Sequence, residues 1–172
     1  MEEGRVKTLR ERCSAIELLI VDVDGVLTAG GIAYGDPELE IKEFHVRDGS
    51  SLHRWHRVGK RTGLITGRSS PVVARRAAEL AIDFVKQGAA EKLPAYRQLL
   101  AEAGVADEAV CYLGDDMPDL PSLRVCELAV AVADACAEVR VAAQYITQML
   151  GGRGAVRETI ELILRCQGRW MN

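Results

Sequence analysis

Residues 16–28 read IELLIVDVDGVLT. The first eight are almost continuously apolar and rich in β-branched side chains, the composition of a strand buried on both faces. The run ends in two carboxylates, Asp22 and Asp24, two positions apart, so both point to the same side of an extended segment. Downstream the text changes to glycines, a Gly-Asp-Pro turn at 35–37 and alternation through Leu39, Ile41 and Phe44, which predicts a β-hairpin inserted over residues 28–45. Asp48 is placed to cap a helix carrying Leu52, Trp55 and Val58, with Gly59 as its stop.

Strand and helix then alternate with short connections. GLIT (63–66) is a short strand, and Ser69, Ser70 and Pro71 start a helix to about Leu80. Residues 82–85 form a strand, Leu93 to Leu100 lie in a helix closed by Gly104, and strands follow at 109–113, 128–132 and 145–147. A last helix spans about 155–166. This is the pattern of an α/β fold with a doubly wound, Rossmann-like parallel sheet, whose ligands sit at the carboxyl ends of the strands. No shift in composition divides the 172 residues, so 1–172 read as one domain.

Hydrophobic residues make up 48% and charged residues 27% of the chain, enough for both a core and a solvated surface. The net charge of −3 and the scattered basic residues argue against a nucleic-acid partner. The charged start, MEEGRVKTLRERCSA, and the lack of an apolar run near 18 residues predict a cytoplasmic protein with no membrane association. Five separated cysteines suggest neither a disulfide framework nor a zinc site.

The polar residues that follow the strands carry the chemistry. Asp22 and Asp24 follow the first strand, Thr66, Gly67 and Arg68 the second, Lys92 the third, and Asp115, Asp116 and Asp119 the fourth. One sheet edge would therefore gather several carboxylates, an ammonium and a hydroxyl, a costly grouping unless a cation and an anion bind there together. Mg²⁺ suits the oxygen ligands, and phosphate suits Mg²⁺. Asp22 can attack phosphorus, Asp24 can serve as acid and then base, and Thr66 and Lys92 can stabilise the phosphoryl oxygens. Taken singly, Asp-Gly is ordinary turn chemistry, Lys92 a solvated helix residue, and His45, His53 and His56 surface or core-edge residues. Their joint placement after four successive strands separates the functional reading from the bland one.

DVDGVLT, ITGR, Lys92 and GDD resemble the four signature motifs of haloacid dehalogenase-type phosphatases. DVDGVLT, HVRDG (45–49), VADA (132–135) and GGRGAVRE (151–158) are more narrowly similar to 3-deoxy-D-manno-octulosonate 8-phosphate phosphatases. The resemblance implies a phosphorylated Asp22, and Mg²⁺ held by Asp22, the backbone carbonyl of Asp24 and Asp115, with Asp116 or Asp119 supporting its waters. It implies phosphate contacts from Thr66 and Lys92, and substrate contacts from His45, Val46, Arg47, Asp48, Gly49, Arg68 and Arg76. His45 stands where the family usually has Asn and His53 where it commonly has Arg, so His53 joins the candidate substrate contacts. The family also implies the absence of a cap domain and a homotetramer in which hairpins pack together and Arg153 reaches a neighbour's substrate. A two-stranded ribbon is marginal alone, so self-association through it is physically reasonable.

Three other readings compete. A nonulosonate 9-phosphate phosphatase would differ only in the sugar acid, and a non-catalytic tetramerising module would need no intact site. A signalling receiver domain would carry its phosphoacceptor on a middle strand, whereas here the nucleophile follows the first.

Overall fold

The computed structural model describes residues 6–34 and 40–170. In chain order the first half contains α1 (Leu9–Ala15), β1 (Leu18–Val21), the short β2 (Ala33–Tyr34) and β3 (Glu40–Ile41), α2 (Val46–Arg57), β4 (Arg61–Ile65) and α3 (Pro71–Glu79). The second half contains β5 (Phe84–Lys86), α4 (Lys92–Ala103), β6 (Val110–Gly114), α5 (Leu120–Leu123), β7 (Leu128–Ala131), α6 (Ala137–Ala142), β8 (Tyr145–Ile146) and α7 (Ala155–Cys166).

Six strands form one parallel sheet in the order β5-β4-β1-β6-β7-β8, so the chain winds outward from β1 first to one side and then to the other. That order reversal opens a crevice at the carboxyl end of β1. Every residue of β1, β6 and β7 is buried, which accounts for the uninterrupted apolar text of these strands. The edge strands β5 and β8 are only partly covered.

Local signals explain most boundaries. Ser70 caps α3 by accepting from the Val73 amide, with Pro71 at the first helical position, and Gly104 (φ 65°) closes α4. Helix α1 was not expected. Its signal was Thr8 followed by Glu11, a capping box in a segment read only for its charge.

Asp48 requires a correction. His45, not Asp48, occupies the N-cap position of α2, and its side chain makes no capping bond. The Asp48 carboxylate instead accepts from the amides of Gly154 (3.2 Å) and Arg157 (2.8 Å) at the start of α7. Gly154 is the N-cap of α7 and has no side chain to satisfy those amides, so a residue 106 positions earlier does so. Helices α2 and α7 are thereby joined across the sheet face where Leu52, Trp55, Ile160 and Ile163 are buried.

The inserted hairpin is present, with Ala33 opposite Ile41 and Tyr34 opposite Glu40. Its Gly-Asp-Pro turn at 35–37 lies outside the described residues. Polar contacts hold the returning strand and the residues after it against the body. Ser70 Oγ donates to Glu40 (2.6 Å), Lys42 pairs with Asp24 (2.5 Å), and Arg153 pairs with Glu43 (2.7 Å). Ile32 and Ile41 remain about half exposed.

Candidate active site

Asp22 is the first residue beyond β1, and its amide still donates to Leu113 O of β6. It is 5% exposed. The chain then turns sharply through Val23–Leu27, with Gly25 at φ 93°. A Cβ on Gly25 would lie 2.0 Å from Asp115 Oδ2, so only glycine lets the β1 turn and the β6 carboxylate approach each other.

Lys92 opens α4 and is 6% exposed; its ammonium lies 2.9 Å from Asp22 Oδ1 and 2.7 Å from Asp119 Oδ1. Burial pulls its pKa down, but the two carboxylates outweigh burial and hold it above the ordinary value. Asp22, Asp24, Thr66, Arg68, Lys92 and Asp115 line one cleft of about 350 Å³. The fold brings these six residues together at the carboxyl end of the sheet.

One carboxylate oxygen from each of Asp22, Asp115 and Asp119 lies within 4.8 Å of the others. Asp119 is already spent. It is fully buried, its Oδ1 accepts from Lys92 and Tyr112 (2.7 Å each), and its Oδ2 accepts from the amides of Asp115 (3.2 Å) and Asp116 (3.4 Å). Those bonds use the acceptor sites of a carboxylate, so Asp119 holds the lysine and shapes the loop and has none left for an ion. Asp115 is the reverse case, with Oδ1 buried and without a partner among the described residues.

Asp115 has its pKa pushed up to about 8, first by burial and then by the charges of Asp22 and Asp119. Asp22 is pushed up to about 6 by burial and by Asp119, against the opposing pull of Lys92. An orphaned oxygen and two carboxyls that resist ionising side by side are what a divalent cation would relieve. The donor set, all oxygen, fits Mg²⁺.

Backing the rim is the 151–154 segment. Gly152 N donates to Val26 O (2.8 Å), and Gly151 N donates to Asp134 Oδ1 (2.9 Å). A Cβ on Gly151 would lie 1.7 Å from Gly25 O. The VADA and GGRG segments therefore meet to brace the turn that carries Asp22 and Asp24, a role the sequence reading missed. The repeated glycines were its only signal.

The residues expected to contact substrate are not gathered in this cleft. Arg68 and Lys92 line it. Arg47 and Arg153 line a separate cleft of about 450 Å³ beside α7, and His53 lines another with Arg54, Arg57 and Trp170. Asp48 and Gly49 are buried, Val46 is exposed, and His45 Nδ1 is buried without a hydrogen-bond partner among the described residues. Arg76 lies over the Phe44 ring and against Gly49. Asp116 is exposed and caps the turn at Met117–Asp119.

A parallel doubly wound sheet with this acidic rim defines a haloacid dehalogenase-like hydrolase, and the model of that family matches residues 72–156. The 3-deoxy-D-manno-octulosonate 8-phosphate phosphatase of Escherichia coli is 44% identical over 154 residues, covering 90% of this chain and 82% of that protein. The Haemophilus influenzae enzyme of the same name is 38% identical over 161 residues, covering 94% and 89%. A crystal structure of the Moraxella catarrhalis phosphatase in complex with magnesium, phosphate and KDO superposes with a TM-score of 0.91 at 40% identity, covering 94% of this chain and 92% of that one. This chain belongs to the 3-deoxy-D-manno-octulosonate 8-phosphate phosphatase family.

Proposed function

We propose that the chain hydrolyses 3-deoxy-D-manno-octulosonate 8-phosphate to the free sugar acid and phosphate through an aspartyl-phosphate on Asp22. The observation that carries this reading is the buried Asp22 carboxylate at the end of β1, 2.9 Å from the Lys92 ammonium and beside the unpartnered oxygen of Asp115. Asp22 attacks phosphorus while Asp24 gives a proton to the departing sugar oxygen. Asp24 then takes a proton from the water that attacks the aspartyl-phosphate, which releases phosphate and restores Asp22. Lys92 and the Thr66 hydroxyl hold the phosphoryl oxygens, in a place already built for that charge. Mg²⁺, held by Asp22, the backbone carbonyl of Asp24 and Asp115, supplies the positive charge that lets a carboxylate and a phosphate ester approach.

All 172 residues serve as one catalytic domain, with the hairpin standing in place of a cap. The sugar acid is read by a homotetramer. Arg47 and Arg153 lie outside the Asp22 cleft of their own chain, and the half-exposed Ile32 and Ile41 offer the hairpin an apolar face for packing against its copies. No helix among the described residues is long and apolar enough to cross a membrane. The five cysteines are free, which supports a place in the reducing cytoplasm.

The test is phosphate release from a panel of sugar-acid phosphates with Mg²⁺, by the wild type and by Asp22→Asn. The octulosonate 8-phosphate should be turned over best and the variant should be inactive. A nonulosonate 9-phosphate turned over better would move the substrate, and an active variant would remove the nucleophile.

A further inference from the structure

Lys42 belongs to the hairpin, yet its side chain is 3% exposed and its ammonium sits 2.5 Å from Asp24 Oδ1. Lysines on exposed ribbons normally keep their charge in water, and burying one is costly unless it is paired. Here the partner is the side chain assigned to move the proton. Glu40 Oε1 lies 3.7 Å from the same ammonium, while its other oxygen accepts from Ser70 at the cap of α3. The returning strand is thus pinned to the rim at two adjacent points.

The second contact to Asp24 falls on the same atom, since Thr28 Oγ1 lies 3.5 Å from Oδ1. Among the described residues no donor reaches Oδ2. A carboxylate free to spin about its Cβ–Cγ bond presents either oxygen at any angle, whereas one clamped at Oδ1 presents Oδ2 in one direction. Proton transfer is sensitive to such placement, and a shift of about 1 Å can cost on the order of a hundredfold in rate.

We propose that Lys42 is a positioning residue for Asp24, clamping Oδ1 so that Oδ2 faces the leaving group, and that leaving-group protonation therefore depends on the hairpin being docked. This rests on the phosphatase reading above. In the first step the Asp22–phosphorus bond forms, the bond from phosphorus to the sugar oxygen breaks, and the proton on Asp24 Oδ2 passes to that oxygen. In the second, water adds to phosphorus, the Asp22–phosphorus bond breaks and Oδ2 takes the water's proton. Lys42 keeps its three protons throughout.

Lys42→Met removes the charge and the donor with similar bulk, and Lys42→Arg keeps both. Each is compared with wild type, with Mg²⁺, on a sugar phosphate whose leaving group is a primary alcohol and on p-nitrophenyl phosphate, whose leaving group departs with little need of a proton. We expect Lys42→Met to lower kcat/KM on the sugar phosphate by roughly tenfold or more, a part of the roughly hundredfold or greater contribution of a general acid. Its loss on the aryl ester should stay within about threefold, and Lys42→Arg should recover much of the difference. Melting curves matching wild type confirm an intact fold. Equal losses on both esters, or no loss on either, would overturn the proposal. A rise in KM confined to sugar-acid phosphates, with simple sugar phosphates untouched, would make Lys42 a substrate contact and overturn it too. The alkyl-to-aryl contrast does not depend on which sugar acid is preferred, so an error in the substrate leaves this test intact.

Discussion

At the carboxyl end of β1 nearly every polar group has a partner supplied by the same chain, and the groups lie within a few ångströms of one another. Around the hairpin and the start of α2 the opposite holds. Arg47 and Arg153 line one cleft, His53 lines another and His45 lines neither, and apolar side chains such as Ile32, Ile41 and Val46 face outward. The chemistry of phosphoryl transfer is assembled by folding alone, because four strand ends of one sheet converge on it. The candidate contacts to the organic part of a substrate do not converge in this way, so changes in the two regions should differ in kind.

The largest effect short of removing a reacting group should come from Gly151→Ala. Its methyl has no room against Gly25 O, so the turn carrying Asp22 and Asp24 must shift. We expect kcat to fall on the order of a hundredfold and stability to fall by about 2 kcal/mol, read from phosphate release and urea unfolding. Normal kinetics would show that the brace does not set the rim.

Next is the response to pH without metal. The carboxyls of Asp115 and Asp22 titrate upward of their ordinary values, at about 8 and about 6, so the folded chain keeps protons that the unfolded chain has released. Stability must then fall as pH rises through those values. The melting temperature in chelator should drop between pH 6 and 8.5, and Mg²⁺ should restore more of it at pH 8.5 than at pH 6. Asp115→Asn should flatten this dependence; an unchanged slope would contradict the assignment.

Asp48→Ala removes the carboxylate that satisfies two amides of α7. A loss of about 1–2 kcal/mol is expected by denaturant titration. The smallest effect should be Arg153→Ala, which leaves the rim untouched and should raise KM several-fold with little change in kcat. A kcat loss as large as that of Gly151→Ala would erase the distinction between the two regions.

The sequence foretold one region better than the other for a physical reason. Strands buried on both faces write themselves as apolar runs, and Asp22, Thr66 and Asp115 each follow such a run directly, while Lys92 opens the helix after the partly covered edge strand β5, so most of the rim could be drawn before any coordinates. The capping of α7 by Asp48, the bonds that occupy Asp119 and the bracing of Gly25 by Gly151 join positions through tertiary contact and leave no periodicity behind. Asp48 even imitates a local cap, since nothing in its neighbourhood shows that α7 will claim it. The short helices α5 and α6 carry too few turns for a pattern to emerge.

The central claim is that the Asp22 carboxylate accepts the phosphoryl group, and it can be read directly. Enzyme quenched during turnover with Mg²⁺ is treated with borohydride, which reduces an acyl phosphate to an alcohol, and the peptides are sequenced by mass. The account predicts homoserine at position 22 and only in the presence of substrate. An unreduced aspartate there, under conditions where phosphate is being released, would contradict it.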